Sequence, residues 1–188
     1  FDEAMRLSVQ GVLVSPFFLF RYERAATPDD PTTPHPISDH ELATRLSYFL
    51  WSTMPDDQLF ELAKRQQLRK LDVLEAQVRR MLKDPRSRAM VDNFASQWLN
   101  LRVLDETTPD PKRFPEFNDD LRRDMRTETE LLFEAVMRED RSILDLLDAR
   151  FTFINERLAR HYGMRWPWRG DSSDRYRRLQ VPAQRGGI

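Results

Sequence analysis

Apolar residues recur at helical spacing along most of the chain. They lie three or four positions apart in residues 2–15, in residues 42–50 and, over the longest run, in residues 119–139. A strand-like pattern is confined to residues 176–181. The pattern therefore predicts an all-α fold, a roughly eight-helix bundle-like domain with proline-rich loops and at most one short strand near the C-terminus.

Polar side chains mark where several helices should begin. Ser38 and Glu41 have the spacing of a capping box, in which each side chain accepts from the backbone N–H of the other residue. Asn118 is suited to cap the longest helix, and Pro55 suits the first helical position of another. These residues set the predicted starts of three helices.

Two apolar stretches are expected to be buried. One is the aromatic run at residues 17–20, which follows Pro16. The other is the inner face of a helix predicted over residues 86–101, because its large apolar residues repeat every three or four positions. That face consists of Met90, Val91, Phe94, Trp98 and Leu101.

Proline content predicts how the chain is divided. Residues 25–37 hold four of the 12 prolines and show no periodicity, which favours a linker or loop. We therefore expect a helical N-terminal segment at 1–24, this linker, a main helical domain at 38–164, and an irregular tail at 165–188.

The overall charge is balanced. The 188 residues carry 30 basic and 31 acidic side chains, a net charge of -1, so no overall field attracts nucleic acid or an anionic membrane. No apolar run approaches the roughly 20 residues that span a bilayer. We expect neither a nucleic-acid partner nor membrane insertion.

Local charge is less even. Residues 60–104 hold ten basic and five acidic residues, whereas residues 105–148 hold seven basic and fourteen acidic ones. Two interpretations remain open. The segments either form two faces that pack against each other or present a docking surface to a charged partner.

Several kinds of chemistry are excluded by missing residues. The chain has no cysteine, so these residues contain no disulfide, zinc ribbon, thiol nucleophile or covalent haem attachment. Its three histidines lack the spacing of di-iron bundles and of zinc proteases, and there is no Gly-x-Ser-x-Gly or phosphate-binding glycine loop. We therefore expect no cofactor and no metal site within this chain.

Glu128 is the strongest candidate for a catalytic carboxylate. It falls inside an apolar stripe of the longest helix, where it must be desolvated, paired or facing a cleft. It is either half of an ion pair with an arginine or a functional acid, base or ligand. Arg45, which flanks the inner face of its own helix, is its natural partner and the second candidate. The stripe consists of Leu121, Met125, Leu132 and Val136.

Trp166 and Trp168 are candidate binding residues. They flank Pro167 in a segment without helical periodicity, so they either pack in the core or are exposed. Exposed aromatic rings of this kind would form a stacking platform for sugars.

Long motifs resemble the domains of unknown function found in planctomycete cytochrome c-type multidomain proteins. The motifs ISDHELATRLSYFLW at 37–51, QWL at 97–99 and FINERLARHYG at 153–163 are similar to one domain of that array. Residues 6–21 resemble the end of a preceding domain, and residues 185–188 resemble the start of a following one.

The resemblance implies a setting rather than a reaction. Such proteins are large and exported, and they usually carry a cytochrome c-like domain elsewhere in the chain. We therefore expect an extracytoplasmic location, periplasmic or at the cell surface, and haem c elsewhere in the parent protein. The other domains of the same chain are the expected partners.

Three functions follow as hypotheses. The leading one is a non-catalytic structural or interaction module that positions a haem domain and binds a protein or polymer. The second is part of an extracytoplasmic oxidoreductase that uses carboxylates such as Glu128 and exchanges electrons with the haem domain or another electron-transfer partner. The third is a glycan-binding module that uses Trp166 and Trp168.

Overall fold

Helices dominate the chain, as the sequence pattern predicts. The computed structural model describes residues 2–20, 34, 36–168, 170 and 174–181. The described helices are α1 (Asp2–Leu13), α2 (Pro16–Leu19), α3 (Asp39–Trp51), α4 (Asp57–Lys64), α5 (Leu71–Lys83), α6 (Arg88–Met90), α7 (Ser96–Trp98), α8 (Arg102–Glu106), α9 (Asp119–Arg138), α10 (Asp145–Asp148) and α11 (Glu156–His161). A 3₁₀ turn (Pro85–Ser87) precedes α6, a π-helical segment (Val91–Ala95) joins α6 to α7, and two strands, β1 (Phe151–Ile154) and β2 (Arg177–Gln180), complete the fold.

The fold is all-α, with one small antiparallel sheet. Most of the predicted linker 25–37 and the predicted domain start at 185–188 lie outside the described residues. No helix in the described part of the chain is long and apolar enough to span a bilayer.

The predicted caps of α3 and α9 are confirmed. Ser38 Oγ accepts from the Glu41 backbone N–H at 3.2 Å, and the Glu41 carboxylate accepts from the Ser38 backbone N–H at 2.7 Å. Asn118 Oδ1 accepts from the Leu121 N–H at 2.9 Å, so α9 begins at Asp119. Local hydrogen bonds of this kind satisfy N–H groups that have no partner inside the helix.

The predicted start of α4 at Pro55 is wrong. The helix begins two residues later, at Asp57, with Asp56 as its cap. Asp56 Oδ1 accepts from the Leu59 N–H at 3.1 Å. The helix begins after Asp56 because this carboxylate accepts a hydrogen bond from a free N–H at the helix start.

Trp51 lies at the centre of the first core, formed by α3, α4 and α5. Its side chain is 3% exposed, and its indole Nε1 donates to the Met81 carbonyl at 2.9 Å. The Arg86 guanidinium lies 3.6 Å from the centroid of the Trp51 ring. Arg86 also pairs with Asp84, and its hydrogen bonds to the Asp84 carboxyl lower the pKa of that group to about 2. The other buried members of this core are Ala43, Leu50, Leu59, Ala63, Leu68 and Met81.

The long helix α9 organises the rest of the domain. Three apolar clusters pack against it, from the π-helical segment and α10, from β1, and from α11. Their buried residues are Val91, Ala95, Phe133, Val136 and Leu146, then Leu132, Ala135, Ala149 and Phe151, and finally Leu121, Ile154, Leu158 and Ala159.

The two-stranded sheet differs from the expectation of at most one strand. β2 matches the predicted strand at 176–181, and it pairs antiparallel with β1, placing Phe151 opposite Gln180 and Ile154 opposite Arg177. β1 was not predicted from the pattern of apolar residues. Its strand conformation depends on a partner 23 or more residues away.

Ion pairs connect the two oppositely charged segments. Arg88 binds Glu130 at 2.5 Å and Glu134 at 2.9 Å, and Arg79 binds Asp140 at 2.6 Å. These contacts agree with the interpretation that the two segments pack against each other.

The helix predicted over 86–101 is irregular, and part of its predicted inner face is exposed. A hydrogen bond from the Ser96 N–H to the Val91 carbonyl closes a turn of five residues instead of four. This extra residue changes the rotational phase, so Val91 is buried while Phe94 is 40% and Trp98 55% exposed. The expected burial of the run at 17–20 is also wrong where it is described, because Phe18, Leu19 and Phe20 are all more than half exposed.

Replacing Trp51 by Phe should lower the free energy of unfolding by about 1–3 kcal/mol, because the Met81 carbonyl loses its buried donor. Urea denaturation followed by circular dichroism measures this change. The matched control is Trp98→Phe at an exposed position, which should change the free energy by less than about 0.5 kcal/mol. Equal effects of the two substitutions would contradict the role given to the buried indole.

Candidate functional site

Glu128 holds together two elements that are distant in sequence. It is half-buried on α9, where Thr152 Oγ1 of β1 donates to it at 2.6 Å. Tyr162, directly after α11, donates its hydroxyl to the other carboxylate oxygen at 2.7 Å. Both carboxylate oxygens therefore bind hydroxyl groups of the same chain.

Asp124 is a second carboxylate on the same helix, and the sequence interpretation missed it. It is 1% exposed and accepts from Arg157 Nε at 2.5 Å and from the Tyr176 hydroxyl at 2.6 Å. Burial by itself would raise the pKa of Asp124, but the hydrogen bonds from Arg157 and Tyr176 outweigh it and leave the pKa below its usual value. The available signal was its spacing, since Asp124 lies one helical turn before Glu128.

Both carboxylates accept a hydrogen bond from a tyrosine hydroxyl. We call the pairs Asp124–Tyr176 and Glu128–Tyr162 the tyrosine clamps. Each binds the phenol of a residue that follows α9 in sequence, so together they fix α11 and the start of β2 against the long helix. Arg157 also binds Asp120 at 3.3 Å, which extends the first clamp along α9. This arrangement is suited to holding a segment in place.

Arg45 lies in another part of the domain. It is exposed on α3 and lines a cleft together with Tyr48 and Asn93. The partners given above for Glu128 are hydroxyl groups, and its pairing with Arg45 stays a prediction. Glu128, the other catalytic candidate, is not among the residues that line this cleft.

Trp166 and Trp168 pack against each other. Their ring centroids are 4.8 Å apart, at an interplanar angle of 65°, and both side chains are half-buried. Trp166 also packs against the cluster that contains Leu158, and its Nε1 has no hydrogen-bond acceptor among the described residues. An edge-to-face pair does not present the open parallel faces expected of a stacking platform.

A group of exposed aromatic side chains lies on α3 and the irregular helix. Phe49 is 53% exposed, and its ring lies 5.9 Å from that of Phe94; Phe94 in turn stacks on Trp98, also at 5.9 Å. Phe133, which is 8% exposed, packs against the rings of Phe94 and Trp98. We call Phe49, Phe94 and Trp98 the aromatic patch.

The aromatic patch borders a wide cleft of about 1430 Å³. Asn93 of the π-helical segment donates to Ser52 Oγ at 2.8 Å and so connects the two walls. The cleft is lined by Phe18, Leu19 and Phe20 of the N-terminal segment, by His40, Glu41, Thr44, Arg45, Tyr48, Phe49, Ser52, Met54 and Pro55, and by Asn93, Phe94 and Gln97.

The described residues offer no grouping of three or more His, Asp or Glu side chains that could hold a metal ion. Many arginines and acids of the described residues are bound to one another in ion pairs, as in the Arg88 and Arg157 contacts. On the aromatic patch itself, apolar contact is the chemistry that the exposed rings make available.

Comparison with known protein families gives a match over most of the chain. The family model described as "PSD4: Protein of unknown function (DUF1592)" matches residues 37–164, which is more than half of the chain. No curated protein and no solved structure matches it.

Replacing Tyr176 by Phe should reduce the sensitivity of the fold to alkaline pH. Burial and the hydrogen bond to Asp124 raise the pKa of Tyr176 well above its usual value. The stabilisation by this phenol is complete below the unfolded pKa of about 10 and is lost as the pH rises above it toward the folded value. The free energy of unfolding of the wild type should therefore fall more steeply above pH 10 than that of Tyr176→Phe.

Urea denaturation from pH 8 to pH 12 measures both slopes. At neutral pH the substitution should lower the free energy of unfolding by about 1.5 kcal/mol, because a hydrogen bond to a charged group is lost. Tyr48→Phe, at an exposed tyrosine, is the control and should keep the wild-type slope. If Tyr176→Phe kept that slope as well, the clamp would not carry the pH dependence.

Proposed function

The chain belongs to the PSD4 family of proteins of unknown function (DUF1592), and we propose from its surface that it is a non-catalytic interaction module. Its aromatic patch packs against another protein domain. The clamps and ion pairs hold the module in shape, and the patch supplies the contact. The observation that carries this proposal is the exposure of three touching aromatic rings on a supported helix face.

The composition of the surface supports a protein partner. Interface cores are rich in Tyr, Trp, Phe and Met and poor in charge, whereas their rims are polar. The patch is uncharged, with Tyr48 37% and Met54 61% exposed beside it. Polar side chains surround these apolar groups, among them Glu41, Arg45, Asn93 and Gln97.

The support from Phe133 also favours binding. Two of the patch rings, Phe94 and Trp98, pack on a buried residue of α9 instead of extending freely into solvent. Rings held in this way lose little conformational freedom when a partner covers them, so less of the binding free energy is spent on ordering them.

The partner that we propose is a neighbouring domain of the same parent protein. The resemblance to planctomycete multidomain proteins supports this choice, since there such domains occur together with a cytochrome c-like domain. On this proposal the parent protein is exported and extracytoplasmic, carries covalent haem outside the present residues, and uses this module to position its neighbours.

The test compares the 188-residue chain with the parent protein purified from its own cells. Hydroxyl-radical footprinting with mass spectrometry measures the oxidation rate of each side chain. Phe94 and Trp98 should be oxidised at least about threefold more slowly in the parent protein, because a partner domain covers them. Leu147, which is 74% exposed on α10, is the internal control and should react at the same rate in both.

Two variants of the parent protein sharpen the comparison. Trp98→Ser should restore fast oxidation of Phe94 by weakening the contact, whereas Leu147→Ser should leave Phe94 protected. Equal oxidation of the patch in the isolated chain and the parent protein would overturn the docking role. A parent protein whose intact mass and visible spectrum lack covalent haem would overturn the haem-containing setting alone.

A further inference from the structure

A second concave site lies beside the loop between α8 and α9. This loop, residues 107–118, folds against α9 and the end of α11 and encloses a pocket of about 450 Å³. None of the aromatic patch residues lines it. The lining residues are Pro109, Arg113, Phe114, Pro115, Glu116, Phe117, Met125 and His161.

The size and lining of this pocket are those of a small-molecule site. Such sites measure roughly 300–1,000 Å³ and have mostly apolar walls with a few polar groups. Here two phenylalanines, two prolines and Met125 provide the apolar surface. The cleft beside α3 is about three times larger and has a more polar lining, which suits it less well to a single small molecule.

The loop is fastened to α9, so the pocket is formed before a ligand arrives. Arg122 Nη2 donates to the Thr107 carbonyl at 2.8 Å, and the Arg122 guanidinium lies 5.1 Å from the ring of Phe117. The backbone carbonyl of Asp110 closes a turn inside the loop by accepting from the backbone N–H of Phe114 at 2.9 Å. A preformed wall lowers the entropic cost of binding.

One arginine in the lining of the pocket indicates the charge of its ligand. Within the described part of the chain, the Arg113 side chain makes no hydrogen bond or ion pair, unlike Arg88 and Arg157. His161 lies at the end of α11, with Nδ1 4.0 Å from the exposed carboxylate of Glu116. A guanidinium in this position can form a charge-assisted pair with a carboxylate.

We propose that this pocket binds a small apolar molecule that carries one carboxylate. The apolar body lies between Phe114, Phe117 and Met125, and the carboxylate binds Arg113. His161, which also lines the pocket, is a further polar group within it. The proposal is independent of the docking role of the aromatic patch, since the two sites share no residue.

The test uses the 188-residue chain with methyl-labelled methionine and 4-phenylbutyrate as the probe. Met125 is the one methionine among the pocket-lining residues, so its methyl resonance should shift in a saturable way on titration up to about 10 mM probe. Met54 and Met90 are internal controls and should not shift. The neutral isostere 4-phenylbutyramide should bind at least about fivefold more weakly, because it cannot pair with the guanidinium.

Arg113→Gln should weaken 4-phenylbutyrate binding at least about fivefold and leave binding of the amide unchanged. The matched control is Arg150→Gln, another exposed arginine outside the pocket, which should bind both probes like the wild type. Unshifted Met54 and Met90 resonances in the variants show that the fold is intact. Absence of a Met125 shift, equal affinity for acid and amide, or equal effects of the two arginine variants would each overturn the proposal.

Discussion

A carboxylate that is removed from water needs hydrogen-bond donors. The helix α9 carries two such carboxylates toward the interior. Asp124 and Glu128 obtain their donors from residues that follow the helix in the chain. The return of the C-terminal segment to α9 is thus an electrostatic requirement as well as an apolar one. The small sheet and α11 owe their position to the same helix face on which the clamps lie.

The parts of the fold that depend on neighbouring residues could be predicted from the sequence. The Ser38 and Asn118 caps are examples, because each cap binds a backbone group three residues away. Partners distant in sequence could not be predicted in this way. The apolar stripe marks Glu128 as a polar residue that needs partners, yet its hydroxyl partners lie 24 and 34 residues further along the chain.

The aromatic patch shows a different limit of sequence interpretation. Periodicity assigns Phe94 to the core because it assumes 3.6 residues in every turn. A single i→i+5 turn breaks that assumption. The segment Val-Asp-Asn-Phe-Ala contains no proline or glycine from which such a turn could be predicted. The candidate interface was therefore hidden among residues that the pattern presents as core. The paired tryptophans 166 and 168, which looked irregular and free, turn out to pack on each other.

The π-helical segment also affects how relatives of this protein should be compared. Such a segment is in effect a single residue inserted into a regular helix, and each residue of an α-helix occupies about 100° of rotation. In a relative that lacks one residue between positions 91 and 95, an aromatic side chain aligned with Phe94 would point in another direction. Segment length, more than aromatic identity, would then distinguish the family members that keep this surface from those that have lost it.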